Sequence, residues 1–300
     1  MIKKNKEDFN NNLTNVFNLL SIKGHYNIVG SASLKGIYYN SDIDLNEIDK
    51  FDDFNTVYEK FKHIFQVCKG NKSLFITDFK CGFNNKTNEP IRWTYNDMIK
   101  GFKDGKSFKD CLKDKGMIKL DIIYLLNGLF IEITELYFLN INNYSNYDNK
   151  ELDSNSIKTN LQQDLEELIK DHLYFKALKR IFSILQIHNT NKTLQSKLIC
   201  FFNSETGILY KAYGDLTILI TLLGNTFRKP NIQDIKNNLQ IIKQNLSIQK
   251  ETHKNCSIII DEITKQNNME NMKVYIHKLC EYISRVFNRN AKSFLENNYK

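Results

Sequence analysis

Apolar positions set the first elements. Phe9, Leu13, Val16, Phe17 and Leu20 recur at helical spacing and predict a helix ending near Gly24. The run Tyr26–Val29 reads as a strand, followed by a Gly30-Ser31 turn and a short helix. In "SDIDLNE", Asp42 and Asp44 alternate with Ile43 and Leu45. Successive side chains of a strand point to opposite faces, so both carboxylates share one face while the apolar pair enters the core. Phe54, Val57, Tyr58, Phe61, Ile64 and Phe65 mark a second amphipathic helix, and "SLFITDFKCGF" (Ser73–Phe83) reads as another strand. A polar insertion, 84–116, carries Trp93 and two short helical patterns. "MIKLDIIYLLNGLFIEITELYFL" then reads as a hairpin, with Asn127-Gly128 as its two-residue turn. In that register Asp121 opposes Thr134 and Ile123 opposes Glu132. Asp121 and Glu132 therefore share a face, and Leu120, Ile122, Tyr124, Ile131 and Ile133 take the other, against helices.

The pattern changes at the Asn- and Ser-rich stretch 141–156, which reads as a linker. Beyond it every pattern is helical: Leu161, Leu165, Leu168 and Ile169, then Leu178, Ile181, Phe182 and Leu185. Further helices are expected over 193–202, 206–223, 231–249, 257–266 and 270–288. The expectation is an α+β domain over 1–140 followed by an all-α domain over 157–300.

Composition narrows the setting. A net charge of +8 favours a polyanionic partner without naming one. The six cysteines contain no Cys-x-x-Cys pair, which argues against a zinc site or disulfide framework and fits a reducing compartment. The start "MIKKNKEDFNNN" lacks the apolar stretch of a signal peptide, and no later run is long enough to span a bilayer. A soluble, cytoplasmic protein without a membrane partner is expected.

Chemistry enters with the paired aspartates. Like charges held side by side repel unless a positive charge sits between them, and the usual occupant is a metal ion. Gly30-Ser31, the Asp42-x-Asp44 strand eleven positions after Ser31, and "KLDIIYL" together resemble the nucleotidyltransferase superfamily that includes DNA polymerase beta and the poly(A) polymerases. The resemblance implies a polymerase beta-like palm, a mixed sheet with helices on one face, followed by an all-α domain. It further implies phosphoryl transfer with two Mg2+ (or Mn2+) ions held by Asp42, Asp44 and a third carboxylate. Asp121 matches the usual apolar-Asp-apolar pattern for that third position, with Glu132 in "FIEIT" as its alternate or an outer-shell partner. Gly30 lets a triphosphate approach the backbone, Ser31 binds phosphate oxygens, and Lys35 neutralises charge nearby. Asp78 and Lys80 either line the same cleft or form a local ion pair. Trp93 either stacks on a base or anchors packing.

The longer stretches "ITDFKCGF", "IRWTYNDMIKGFKDGKSFKDCL", "MIKLDIIYLLNGLFIEITELYF" and "FNSETGILYKAYGDLTIL" together look like poly(A) polymerase-type proteins of large cytoplasmic DNA viruses. That resemblance implies addition of AMP from ATP to single-stranded RNA 3′ ends, in the host cytoplasm or virion, alone or with a homodimer or processivity partner. Tyr210 and Lys211 are its nucleotide-contact candidates in the helical half, beside the plainer reading of a core ring and a solvated cation. Two other readings stand: a polymerase X-like DNA repair enzyme, and a non-catalytic subunit that binds RNA or a polymerase.

Overall fold

The computed structural model describes residues 11, 13–21, 26–29, 43–47, 54–84, 86, 87, 89–115, 117–126, 129–138, 164–225, 227–246 and 251–299. They separate into two compact units. The first joins the described residues up to 138 with the Gly224–Pro230 segment; the second comprises the described residues from 164 to 223 and from 231 onward.

The first unit is built on a six-stranded sheet of β1 (Tyr26–Val29), β2 (Ile43–Glu47), β3 (Leu74–Phe83), β4 (Pro90–Arg92), β5 (Met117–Leu126) and β6 (Leu129–Phe138). The strand order is β1-β2-β6-β5-β3-β4. Every pairing is antiparallel except β2 with β6, which is parallel, so the sheet is mixed. Leu126 pairs with Leu129, leaving two residues for the turn, and the hairpin register is the predicted one.

Helices cover one face: α1 (13–19), α2 (Phe54–Gly70), α3 (Tyr95–Asp104) and α4 (Lys106–Lys113). Leu13, Val16 and Leu20 join Phe61, Ile64 and Phe65 over Phe79, Leu120, Ile122, Ile131 and Ile133 in a single apolar cluster. Alternation in β5 and β6 sends those residues to the helices and their neighbours to the opposite face. The segment 84–116 supplies the edge strand β4 and two helices whose Met98, Phe108 and Leu112 enter the same core. Thr94 and Asp97 close a capping box at the start of α3, and Gly105 at a φ of 70° turns the chain into α4.

Strand β3 changes phase partway. Ile76 pairs with Ile122 and Asp78 with Asp121, so Thr77 is the extra residue of a bulge. Before it, Leu74 and Ile76 face the helices; after it, Phe79 and Cys81 do. The bulge thereby turns Asp78 and Lys80 to the face opposite the helices.

Beyond the reach of β4, side chains of the Gly224–Pro230 segment complete the edge of β3. Asn225 Nδ2 donates to the Ile76 carbonyl at 3.0 Å. Arg228 donates to the carbonyls of Cys68 and Asn71 at 3.1 and 3.0 Å and to that of Leu74. It also lies over the Phe75 ring at 4.4 Å. One guanidinium thus ties carbonyls at the end of α2 and the start of β3 to the Gly224–Pro230 segment.

The second unit is all helical: α5 (164–170), α6 (Tyr174–Ile187), α7 (Lys192–Phe202), α8 (Glu205–Leu223), α9 (Ile232–Leu246), α10 (Glu251–Lys265) and α11 (Met269–Asn298). The last helix runs ten residues past the 288 expected from periodicity. Its Ile276, Leu279, Ile283, Phe287 and Ala291 are buried. Asn288 accepts from the Phe175 amide at 3.1 Å, which fixes the start of α6.

Candidate active-site face of the sheet

The face of the sheet turned away from α1–α4 carries the chemistry. Cα register aligns Asp44 of β2, Thr134 of β6, Asp121 of β5 and Asp78 of β3 in one row across four neighbouring strands. For Asp44 it is this backbone position that is described. Gly30, Ser31, Lys35 and Asp42 lie outside the described residues, as do the linker 141–156 and Asn127-Gly128.

Asp121 is held from two sides. The Thr134 hydroxyl donates to its Oδ1 at 2.8 Å, and Lys119 Nζ lies 3.4 Å from the same oxygen. Its carboxylate is 13% exposed, so both interactions are poorly screened by water. The Thr77 hydroxyl at the bulge donates to the Asp121 carbonyl at 3.3 Å, tying β3 to β5 at this row. Asp78 and Lys80 form an ion pair at 2.9 Å on the same face. Of the two readings for this pair, the local ion pair is what forms, on the face of the sheet opposite the helices.

Glu132 is half-buried, opposite Ile123, one row along from Thr134. Its neighbours Ile131 and Ile133 are buried against the helices, which puts Glu132 on the opposite face, with Asp121. Strand order separates the two candidates for the third carboxylate. Glu132 is on β6, hydrogen-bonded directly to β2; Asp121 is on β5, with β6 in between. Adjacent strands lie about 4.8 Å apart, so Asp121 stands roughly 10 Å from β2 at the backbone.

Among the described residues no three His, Cys, Asp or Glu side chains gather into a metal-binding group. The donor chemistry of the face nevertheless suits a hard divalent cation, because its acidic groups offer carboxylate oxygens and no nitrogen or sulfur. A full ligand set on β2 and β6 would need Asp42 and Asp44 beside Glu132.

The remaining candidates sit elsewhere. Trp93 packs edge-on against Phe108 at 5.7 Å, on the helix side of the sheet, and is a packing anchor. Tyr210 stacks on Phe175 at 4.1 Å and meets Phe287 edge-on at 5.3 Å, inside the helical unit. Lys211 follows it on α8, half-buried. Glu135, 1% exposed on the helix side of β6, is a charged group that sequence reasoning missed. Burial lowers the pKa of Lys60 on α2, and the charge of Glu135 partly restores it. A charge on an otherwise apolar strand face was the available signal.

No protein-family model matches the chain, and no curated protein sequence matches it. Solved structures do. The M. chilensis Mg662 protein, crystallised in complex with GTP, superposes with a TM-score of 0.66 at 11% identity, covering 91% of this chain and 87% of its own. A Megaviridae protein described as a new nucleotidyl transferase encoded by an ORFan gene superposes with a TM-score of 0.65 at 12% identity, covering 91% and 84%. The chain therefore has the α+β architecture of the nucleotidyltransferase fold, a palm-like mixed sheet with helices on one face followed by an all-helical unit.

Proposed function

We propose that the protein is a template-independent nucleotidyltransferase that adds AMP from ATP to RNA 3′ ends. The observation that carries this reading is the line of Asp44, Thr134, Asp121 and Asp78 across the face turned away from α1–α4 in a sheet with this fold. In the reaction the RNA 3′ oxygen forms a bond to the α-phosphorus, and the bond from that phosphorus to pyrophosphate breaks. The hydroxyl proton leaves to solvent or to a carboxylate. Negative charge grows on the attacking and leaving oxygens, and bound divalent cations supply its neutralisation.

Asp42 and Asp44 would hold those cations, with Glu132 as the third ligand. Strand order supports Glu132 over Asp121, because a shared ion needs ligands a few ångströms apart. Asp121 then acts through Thr134, its hydrogen-bond donor, and Lys119. Gly30 and Ser31 take the triphosphate, with Lys35 and Lys80 as its counter-charges. Tyr210 and Lys211 enter this reading only as nucleotide-contact candidates within the helical unit. The net charge of +8 suits an RNA partner.

The test is an assay with ATP, CTP, GTP and UTP separately, each with Mg2+ or Mn2+, on a short RNA and on a primed DNA template. Extension of RNA by ATP, abolished by at least about a thousandfold in Asp44→Asn, is expected. Templated extension of DNA alone would make the protein a repair polymerase, and no extension would make it a binding subunit. GTP is the nucleotide to set against ATP, because the M. chilensis protein was crystallised with it.

A further inference from the structure

Beside the carboxylate row runs a second row of opposite charge. Arg92 of β4 pairs in register with Lys80 of β3, and Lys80 with Lys119 of β5. Each lies on the face opposite the helices for the same reason: its neighbours are committed to the helices. Phe79 and Cys81 flank Lys80, Ile118 and Leu120 flank Lys119, and all four are buried. Trp93 beside Arg92 packs into the same core.

Like charges placed directly opposite on neighbouring strands destabilise a sheet. Three in a line carry one more positive charge than the two carboxylates paired with them. The carboxylates within reach do not balance them. Lys80 is paired with Asp78 at 2.9 Å and Lys119 with Asp121 at 3.4 Å, while Arg92 is exposed and has no ion-pair partner among the described residues. The side chains of Lys80 and Lys119 are 18% and 34% exposed, so both ammonium groups are reachable from solvent. Three adjacent strands spread the row over about 10 Å, which suits a string of phosphate groups better than one small anion.

We propose that Arg92, Lys80 and Lys119 form a phosphate-binding row that holds successive phosphoryl groups of a substrate beside the carboxylates. The ligand class rests on the nucleotidyl-transfer reading; Lys80 already belongs to that reading, and Arg92 and Lys119 are new to it. The row binds either the sugar-phosphate backbone of the acceptor strand or the triphosphate of the nucleotide. Arg92 offers a planar fork for phosphate oxygens, and the two lysines act as point charges.

The experiment measures binding without turnover. Native protein, Arg92→Gln and the triple variant Arg92→Gln/Lys80→Gln/Lys119→Gln are titrated against a fluorescent single-stranded RNA ten-mer over a range of salt concentrations. They are separately titrated against α,β-methylene-ATP. The triple variant is expected to lose about tenfold or more in affinity for at least one probe. If that probe is the RNA, the slope of log affinity against log salt should fall by about two, at roughly 0.7 per strand phosphate contact. Loss with RNA alone assigns the row to the acceptor, and loss with the analogue alone assigns it to the triphosphate. Arg92→Gln, at an exposed edge position, keeps the test standing if the triple variant fails to fold, with a two- to fivefold loss expected. Unchanged affinity for both probes in folded variants overturns the row. If the native protein transfers nucleotide while the variants bind unchanged, only the row falls. If the native protein transfers nothing while the variants lose RNA, only the transfer reading falls.

Discussion

Two acidic residues on neighbouring strands share one face of the sheet, and their surroundings set them apart. Asp121 accepts from Thr134 at 2.8 Å and sits 3.4 Å from the Lys119 ammonium, two strands from Asp44. Glu132 sits on the strand bonded to β2. A ligand lost from a metal removes electrostatic stabilisation of the transition state outright, whereas a lost outer-shell partner only disturbs its orientation, at about 10–100-fold. Turnover at saturating Mg2+ and nucleotide is therefore expected to fall by at least about a thousandfold in Glu132→Gln and by only about 10–100-fold in Asp121→Asn. The reverse order would return the third ligand to Asp121.

Among the elements, α3 and α4 test packing against propensity. Gly101 lies inside α3 and is buried, with the Phe108 ring of α4 against it. Phe108 is fixed in turn by Tyr58, Trp93 and Phe102 at 6.3, 5.7 and 5.7 Å. Alanine in place of a helix-interior glycine ordinarily stabilises by up to about 1 kcal/mol. Here its methyl group would overlap the aromatic ring, and overpacking costs about 1–3 kcal/mol. The urea midpoint of Gly101→Ala should thus move down; a rise would mean that the ring yields freely. The short contact is also why a glycine tolerates a position where its propensity is poor.

For the whole molecule, the cysteines report packing in both units. Cys68 and Cys81 in the first and Cys256 and Cys280 in the second are buried, while Cys200 is exposed and Cys111 is half-buried. Burial pushes the thiols of Cys68, Cys81 and Cys280 up to about 12 and that of Cys256 to about 11. The reactive species is the thiolate, so at pH 8 a thiol reagent should label Cys200 first, Cys111 more slowly, and the other four only after denaturation. Mass mapping of labelled peptides over time checks this, and early labelling of any of the four would contradict the packing of its unit. The same shifts set a pH trend. An unfolded thiol ionises near 8.5 and a buried one does not, so this contribution is intact below about pH 8.5 and declines above it. The denaturation midpoint should accordingly be lower at pH 10 than at pH 7.5.

The local code determined a great deal of this protein. Strict alternation through β5 and β6, with a two-residue turn, dictated the hairpin register and the faces of Asp121, Glu132, Ile122 and Ile133. Periods near 3.6 dictated the helices from Tyr174 onward. These signals are short-ranged, carried by neighbours a few residues apart, and so are visible in one dimension. Strand order is not, because hydrogen bonding between β2 and β6 joins residues about ninety positions apart and leaves no local trace. That pairing decides which acidic residue stands beside Asp44. The bulge at Thr77 is likewise a tertiary decision: strict alternation from Leu74 would have put Ile76, Asp78 and Lys80 on one face. Burying Phe79 and Cys81 against α2 and the strands beside them outweighs the regular ladder, and the extra residue turns Asp78 and Lys80 to the opposite face. The row of Arg92, Lys80 and Lys119 exists for the same reason, since three cations scattered along the chain become neighbours only when β4, β3 and β5 are laid side by side.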